Sequence, residues 1–270
     1  MKNFLKKIIY SSNITLFVFM KIKRLLVKPI SQSNEGQIID KLINKYKIDK
    51  NYLEIGFSPW EYNCSRISND NQGVIIDADK VNIKIGRWLI KKARLICEFI
   101  DLDNIEKILK KIDLNIDILS LDIDGNDFYI MERLIKLNPS LIICEYNSAY
   151  YLRPITSIYK KNFDRTKEHE TRFYFGCSLK GWEILMKKNG YSMVSISDSG
   201  VNVFFIKDNL ITDKSEVITP EKNFVDIFWP EEIRNICISK TIPPHAVSQY
   251  RFTHADVWKR IKYMKYKIIS

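Results

Sequence analysis

The chain has 270 residues, enough for one medium α/β domain with an appendage or for two small domains. Hydrophobic residues make up 46% and charged residues 28%, which excludes global disorder; nine glycines and eight prolines exclude a collagen-like or low-complexity chain. The net charge is +11, but residues 1–28 hold seven basic residues and no acid, and residues 258–270 hold five more and no acid. Taking those twelve away leaves residues 29–257 at −1, which disfavours nucleic acid as the main ligand, because such proteins carry basic charge around a central groove.

In residues 1–28, Phe4, Leu5, Ile8 and Ile9, then Leu16, Phe19, Ile22 and Leu26, recur at roughly helical spacing between lysines. The continuous apolar stretch Leu16–Met20 falls short of the about 20 residues a membrane span needs. Lys21, Lys23 and Arg24 stand where a signal peptide would need small residues. A helix lying on an anionic membrane surface fits this segment, as does an amphipathic helix packed on the domain.

From residue 51 the chain alternates short apolar runs with helical stretches. The runs are Asn51–Phe57, Gly73–Asp79, Ala93–Ile100, Ile116–Asp124 and Ser140–Asn147, each rich in Ile, Leu or Val, as in strands buried on both faces. Helices are expected over roughly 60–69, 80–92, 103–112 and 128–137. This repeated βα pattern predicts a doubly wound parallel sheet. Residues 148–174 are irregular. Ser178–Lys188 then reads as a helix closed by Asn189-Gly190, and strands over 191–197 and 201–207 flank a hairpin turn at Asp198-Ser199-Gly200. The domains are expected at 1–30 (basic amphipathic segment), 31–210 (α/β domain) and 211–270 (C-terminal extension).

In the extension, Phe228-Trp229-Pro230 and Ile242-Pro243-Pro244 interrupt helices. Trp258, Tyr263 and Tyr266 lie among five basic residues, which suits a membrane surface or a solvated helix. The extension could cover a site, contact a second copy in a homo-oligomer, or help the N-terminus hold a membrane. The five cysteines (64, 97, 144, 177 and 237) form no CxxC and no zinc spacing. Their odd number favours a reducing cytoplasm, peripheral to the inner membrane face if the basic ends dock there.

Ligands of open parallel sheets bind beyond the carboxyl ends of the strands. The first strand ends Glu54-Ile55-Gly56, and glycine there permits close backbone approach. Phe57-Ser58-Pro59-Trp60 follow, with Glu61 and Asn63 available as polar contacts or as residues of a tight turn into a helix. Asp77 ends the second strand, 23 residues after Glu54, where a carboxylate can accept ribose hydroxyls. In Ser120-Leu121-Asp122-Ile123-Asp124-Gly125-Asn126-Asp127, alternation predicts that Asp122 and Asp124 share one side of the strand. Such paired carboxylates call for a cation, a proton or a substrate base, and Mg²⁺ suits them. Glu145-Tyr146-Asn147 add a carboxylate and an amide at the next strand end, while Asp124–Asp127 could instead form a helix-capping turn.

The segments LEIG, IIDAD, LSLDIDGNDF, IICEYN, GCSLKGWEILMKKNGYSMV and GVNVFFIKDNL together resemble the class I S-adenosylmethionine (SAM)-dependent methyltransferases. Within them, they resemble bacterial proteins related to FkbM-type sugar O-methyltransferases. The resemblance covers about residues 51–210. It implies a Rossmann-like seven-stranded sheet whose last strand is inserted antiparallel, with SAM as cofactor. The implied cofactor contacts are Glu54, Gly56, Glu61, Asn63 and Asp77, with Asp101 a secondary candidate near the adenine. By similarity to metal-dependent macrolide-sugar O-methyltransferases, Asp122 or Asp124 and Glu145 or Asn147 would hold Mg²⁺ beside the hydroxyls of a sugar or glycan precursor. The glycines usual after Gly56 are missing here. His169 could deprotonate the acceptor or be a solvated loop histidine. Arg153 and the basic, aromatic stretch Tyr159–Arg172 suit a phosphorylated or nucleotide-linked sugar. Two rivals remain: a nucleotide-sugar glycosyltransferase using Asp122-x-Asp124, and a non-catalytic binding protein whose pocket Phe57 or Trp60 has closed.

Overall fold

The computed structural model describes residues 30–226 and 254–270. The expected basic helix over 1–28 lies outside them, as do the proline-interrupted segments at 228–230 and 242–244. The described α-helices are α1 (Glu35–Tyr46), α2 (Lys80–Leu89), α3 (Ile105–Leu109), α4 (Asp127–Leu134), α5 (Arg165–Glu168), α6 (Leu179–Lys188), α7 (Pro220–Asn223) and α8 (His254–Ile261). The strands are β1 (Tyr52–Ile55), β2 (Gly73–Asp77), β3 (Ala93–Cys97), β4 (Ile118–Leu121), β5 (Leu141–Glu145), β6 (Ile155–Ser157), β7 (Tyr191–Ile196), β8 (Asn202–Lys207) and β9 (Tyr266–Ile268). No described helix is long and apolar enough to cross a membrane.

Seven strands form one sheet in the order β3-β2-β1-β4-β5-β8-β7. The first five are parallel, and β8 is inserted antiparallel between β5 and β7. This is the doubly wound α/β sheet with a closing hairpin that the apolar runs predict. Strand order reverses between β1 and β4, which opens a crevice at their carboxyl ends.

Alternation along the strands divides the core into two layers. Leu53, Ile55, Val74, Ile76, Leu119, Leu121 and Ile142 face the layer of α3, α4 and α6. Tyr52, Ile75, Ile118, Ile143 and Phe204 face the layer of α1 and α2. The sequence reading assigns no element to α1, which buries Ile39, Leu42 and Ile43 and ends at Lys47 in a left-handed conformation.

Two helix expectations change. Residues 60–69 hold only a four-residue 3-10 helix, Asn63–Arg66, and the helix expected over 103–112 is limited to Ile105–Leu109. The first change has a local cause. Glu54 reaches from β1 and accepts the Asn63 and Cys64 N–H groups at 3.1 and 3.0 Å, so the loop is tied down before a longer helix can form.

The C-terminal residues return to the domain. β9 pairs antiparallel with β6, and α8 packs on the segment after β5. Trp258 and Tyr266 therefore belong to an aromatic cluster with Tyr150, and Arg153 stacks on Trp258 at 4.0 Å. Both rings are half-buried in that cluster, which departs from the membrane-surface and the solvated-helix readings of these two residues. Tyr263 alone of the three stands out, 81% exposed.

Candidate active site

A cavity of about 360 Å³ opens at the carboxyl ends of β1, β2, β3 and β4. That size suits a ligand of cofactor dimensions. Gly56, Asp77, Glu98, Phe99, Asp122 and Asp124 are among its walls.

Gly56 makes the crevice possible. Its φ is +85°, and a Cβ there would lie 1.5 Å from the carbonyl oxygen of Asp122. The ends of β1 and β4 touch at this point, where Asp122 N–H also donates to Ile55 O at 2.9 Å. No side chain fits between them.

Asp77, at the end of β2, lines the cavity. Its two oxygens accept the N–H groups of Phe57 at 2.8 Å and Asp79 at 2.7 Å. Asn82 Nδ2 donates to Phe57 O at 2.9 Å, so the loop after Gly56 is clamped from both sides. Burial raises the Asp77 pKa, opposed by those two N–H groups. Asp79 precedes α2 and caps it, its side chain accepting the Val81 and Asn82 N–H groups.

The bulky loop leaves the cavity open. Phe57 is 4% exposed and packs edge-on to Tyr62 at 5.0 Å, in the core layer beneath α2. Trp60 packs against the same layer and is not one of the cavity walls. Phe57 lines the cavity without filling it, so the closure by Phe57 or Trp60 that would have supported a non-catalytic reading is not seen among the described residues.

Of the other expected cofactor contacts, Glu54, Glu61 and Asn63 line the cavity. Glu54 is buried, and Ser120 Oγ adds a 3.2 Å hydrogen bond to the two loop amides it already holds. Asn63 Nδ2 donates to Ser120 Oγ at 3.0 Å. Asp101 does not line the cavity. Its Oδ1 accepts the Asp103 N–H at 2.9 Å, within the turn that leads into α3. The wall at that end is Glu98, Phe99 and Ile100, which the sequence reading passed over. Their position at the end of an apolar run was the available signal.

Beside the cavity, Asp122, Asp124 and Glu145 converge. One carboxylate oxygen from each lies within 4.8 Å of the others, a spacing a metal ion could bridge. Strand alternation does not bring them together, because β4 ends at Leu121 and Asp124 has φ +55°. Asp127 holds that turn. Its oxygens accept the Ile123 N–H at 2.9 Å and the Gly125 N–H at 2.7 Å. Burial raises the Asp127 pKa to about 6, opposed by those two donors. Burial likewise pushes the Asp122 and Glu145 carboxyls well above the carboxylate range, and nearby negative charge from Asp124 raises both further. Glu145 Oε2 is buried without a hydrogen-bond partner. An orphaned carboxylate oxygen facing two more acids fits a hard cation, or a shared proton in its place.

Arg165, at the start of α5, completes the cluster by pairing with Asp124 and stacking on Phe175 at 4.4 Å. In sequence Arg165 is only one member of the basic, aromatic stretch Tyr159–Arg172, because a contact across 41 residues leaves no local pattern.

Asn147 has its amide engaged elsewhere. Its oxygen accepts the Ala149 N–H at 3.0 Å, and Nδ2 donates to Phe173 O at 2.7 Å and Phe175 O at 3.0 Å. It clamps the segment after β5, which departs from the cation ligand expected of it. His169 does not line the cavity. Its Nδ1 accepts the Thr171 N–H at 3.2 Å and meets Thr171 Oγ1 at 2.9 Å, so it serves a local turn rather than a general base. The basic stretch is largely neutralised by neighbours: Lys160 by Glu168, Lys161 by Asp103, and Lys167 by Asp164. Arg153 is committed to Trp258.

No family model and no curated protein matches the chain. Among solved structures it is similar to an O-methyltransferase from Bacillus cereus in complex with SAH, with 16% identity over 70% of this chain and 86% of that one, and a TM-score of 0.43. It is also similar to the plantazolicin methyltransferase in complex with a triazolic analogue and SAH (13% identity, 75% and 94% covered, TM-score 0.44). A third likeness is to the Methanococcus jannaschii fibrillarin pre-rRNA processing protein (14% identity, 65% and 76% covered, TM-score 0.40).

Proposed function

We propose that the protein is a SAM-dependent O-methyltransferase that acts on a hydroxyl of a sugar in a surface glycan or its precursor, assisted by a divalent cation such as Mg²⁺. The observation that carries this reading is the adjoining of two features at the sheet's switch point. One is a cavity walled by Gly56 and Asp77; the other is the acid trio Asp122, Asp124 and Glu145. Asp77 would accept ribose hydroxyls, and the Gly56 backbone would let the ligand lie against β1.

Bound SAM supplies an activated methyl on a sulfonium, and a cation held by the trio supplies Lewis acidity to an acceptor hydroxyl. The chain's own task is to hold the acceptor oxygen in line and to receive its proton. Asp122, Asp124 and Glu145 would hold the cation, whose charge would lower the pKa of the acceptor hydroxyl and ease the loss of its proton. The same reading puts the basic ends on an anionic membrane, supported by exposed Tyr263 among exposed Lys259, Lys262 and Lys265. Co-sedimentation with anionic and neutral vesicles tests this part; equal recovery on both sinks it.

Calorimetric titration with S-adenosylhomocysteine, with and without Mg²⁺, tests the cofactor claim. Binding is expected in the wild type and at least about tenfold weaker in Asp77→Ala. No binding in either condition withdraws the methyltransferase reading. Binding of a nucleotide sugar instead would support a glycosyltransferase using Asp122 and Asp124.

A further inference from the structure

We propose that Arg165 is the built-in counter-charge of the acid trio, and that a divalent cation binding there displaces it and releases α5 from the rim of the site. This rests on the cation part of the proposed function.

The charges are unevenly matched. Three carboxylates lie within 4.8 Å, and among the described residues the guanidinium that reaches them, Arg165, forms its ion pair with Asp124 while only its charge acts on Asp122 and Glu145. Glu145 Oε2 stays buried and unpartnered while Arg165 is in place. A divalent ion can meet all three acids at once, which the arginine does not. The ion and the guanidinium repel each other, so occupancy by one weakens the other.

The geometry favours the arginine as the group that moves. Asp124 is fixed, because its left-handed turn is held by Asp127 through Ile123 and Gly125. Arg165 stands on a four-residue helix with no buried residue, so the apolar cost of lifting it is chiefly its stacking on Phe175. The segment keeps a pivot at Lys160, whose backbone exchanges two hydrogen bonds with the Asn126 side chain, at 2.8 and 3.2 Å. Between pivot and arginine, Phe163 lines the cavity. Loss of the Arg165–Asp124 pair therefore loosens the wall on the acceptor side, and cation loading would precede acceptor entry.

The test uses Mn²⁺ alone as probe, on the full chain, with calorimetry and hydrogen exchange. Arg165→Gln is expected to bind Mn²⁺ at least about tenfold more tightly than the wild type. Arg165→Lys, which keeps the charge, should stay close to the wild type. In the wild type, Mn²⁺ should speed amide exchange over residues 161–169. In Arg165→Gln that exchange should be fast already, and Mn²⁺ should change it little. Equal or weaker Mn²⁺ binding by a folded Arg165→Gln overturns the proposal and leaves the cation reading standing, as does slower exchange on Mn²⁺ addition. No Mn²⁺ binding by any of the three proteins overturns the cation reading and this proposal together.

Discussion

Replacing Gly56 by alanine should destabilise the domain by roughly 3 kcal/mol and abolish binding in the cavity. Three costs add. A left-handed backbone costs a residue with a Cβ on the order of 1 kcal/mol. The new Cβ would stand 1.5 Å from Asp122 O, a backbone atom that cannot rotate away. Reaching ordinary contact moves the ends of β1 and β4 apart by about 2 Å. That separation breaks the hydrogen bond from Asp122 N to Ile55 O, at 2.9 Å, and strains the one from Gly56 N to Ile76 O, at 3.0 Å. Each is worth about 1 kcal/mol. Urea unfolding followed by circular dichroism measures the loss, and the melting temperature should fall by on the order of 6–12 °C. An alanine variant within about 0.5 kcal/mol of the wild type, with its cavity still binding, would refute the contact argument.

Asp127 should give the protein an inverted acid response. Its folded pKa of about 6 lies above the ordinary carboxylate value, so the folded state holds the proton more tightly than the unfolded chain does. Stability is then greatest below about pH 4 for this group. It falls as pH rises through about 6, by roughly 3 kcal/mol at most. Urea unfolding between pH 4 and 7 should show a smaller decline in Asp127→Asn; parallel profiles would remove Asp127 as the source. Trp182→Phe should cost about 2 kcal/mol, from a small void in a fully buried site and from the lost 2.8 Å hydrogen bond to Glu145 O. An unchanged urea midpoint would show that this indole does not brace the end of β5.

Much of this protein could be read along the chain, because burial on both sheet faces writes itself locally. The runs at 51–57, 73–79, 116–124 and 140–147 each contain the strand they announce. Ser178 and Asn189 bracket α6 as helix-end chemistry requires. Gly56 and Asp77 were legible as well, since strand ends in a parallel sheet face the ligand crevice wherever the chain runs next. The acid trio was only half legible. Asp122, Asp124 and Glu145 could be named, but alternation gave the wrong reason for their meeting, because Asp127 turns the chain before Asp124 is reached.

Contacts between distant segments left no trace in spacing. Arg165 meets Asp124 across 41 residues, and Asn147 clamps carbonyls 26 and 28 residues away. Trp258 and Tyr266 look like surface aromatics in sequence and become half-buried against an aromatic cluster when β9 pairs with β6. Local pattern records which face of an element is apolar. Which polar group then satisfies a buried carboxylate or amide depends on what packing brings within about 3 Å, and only the folded chain has that geometry.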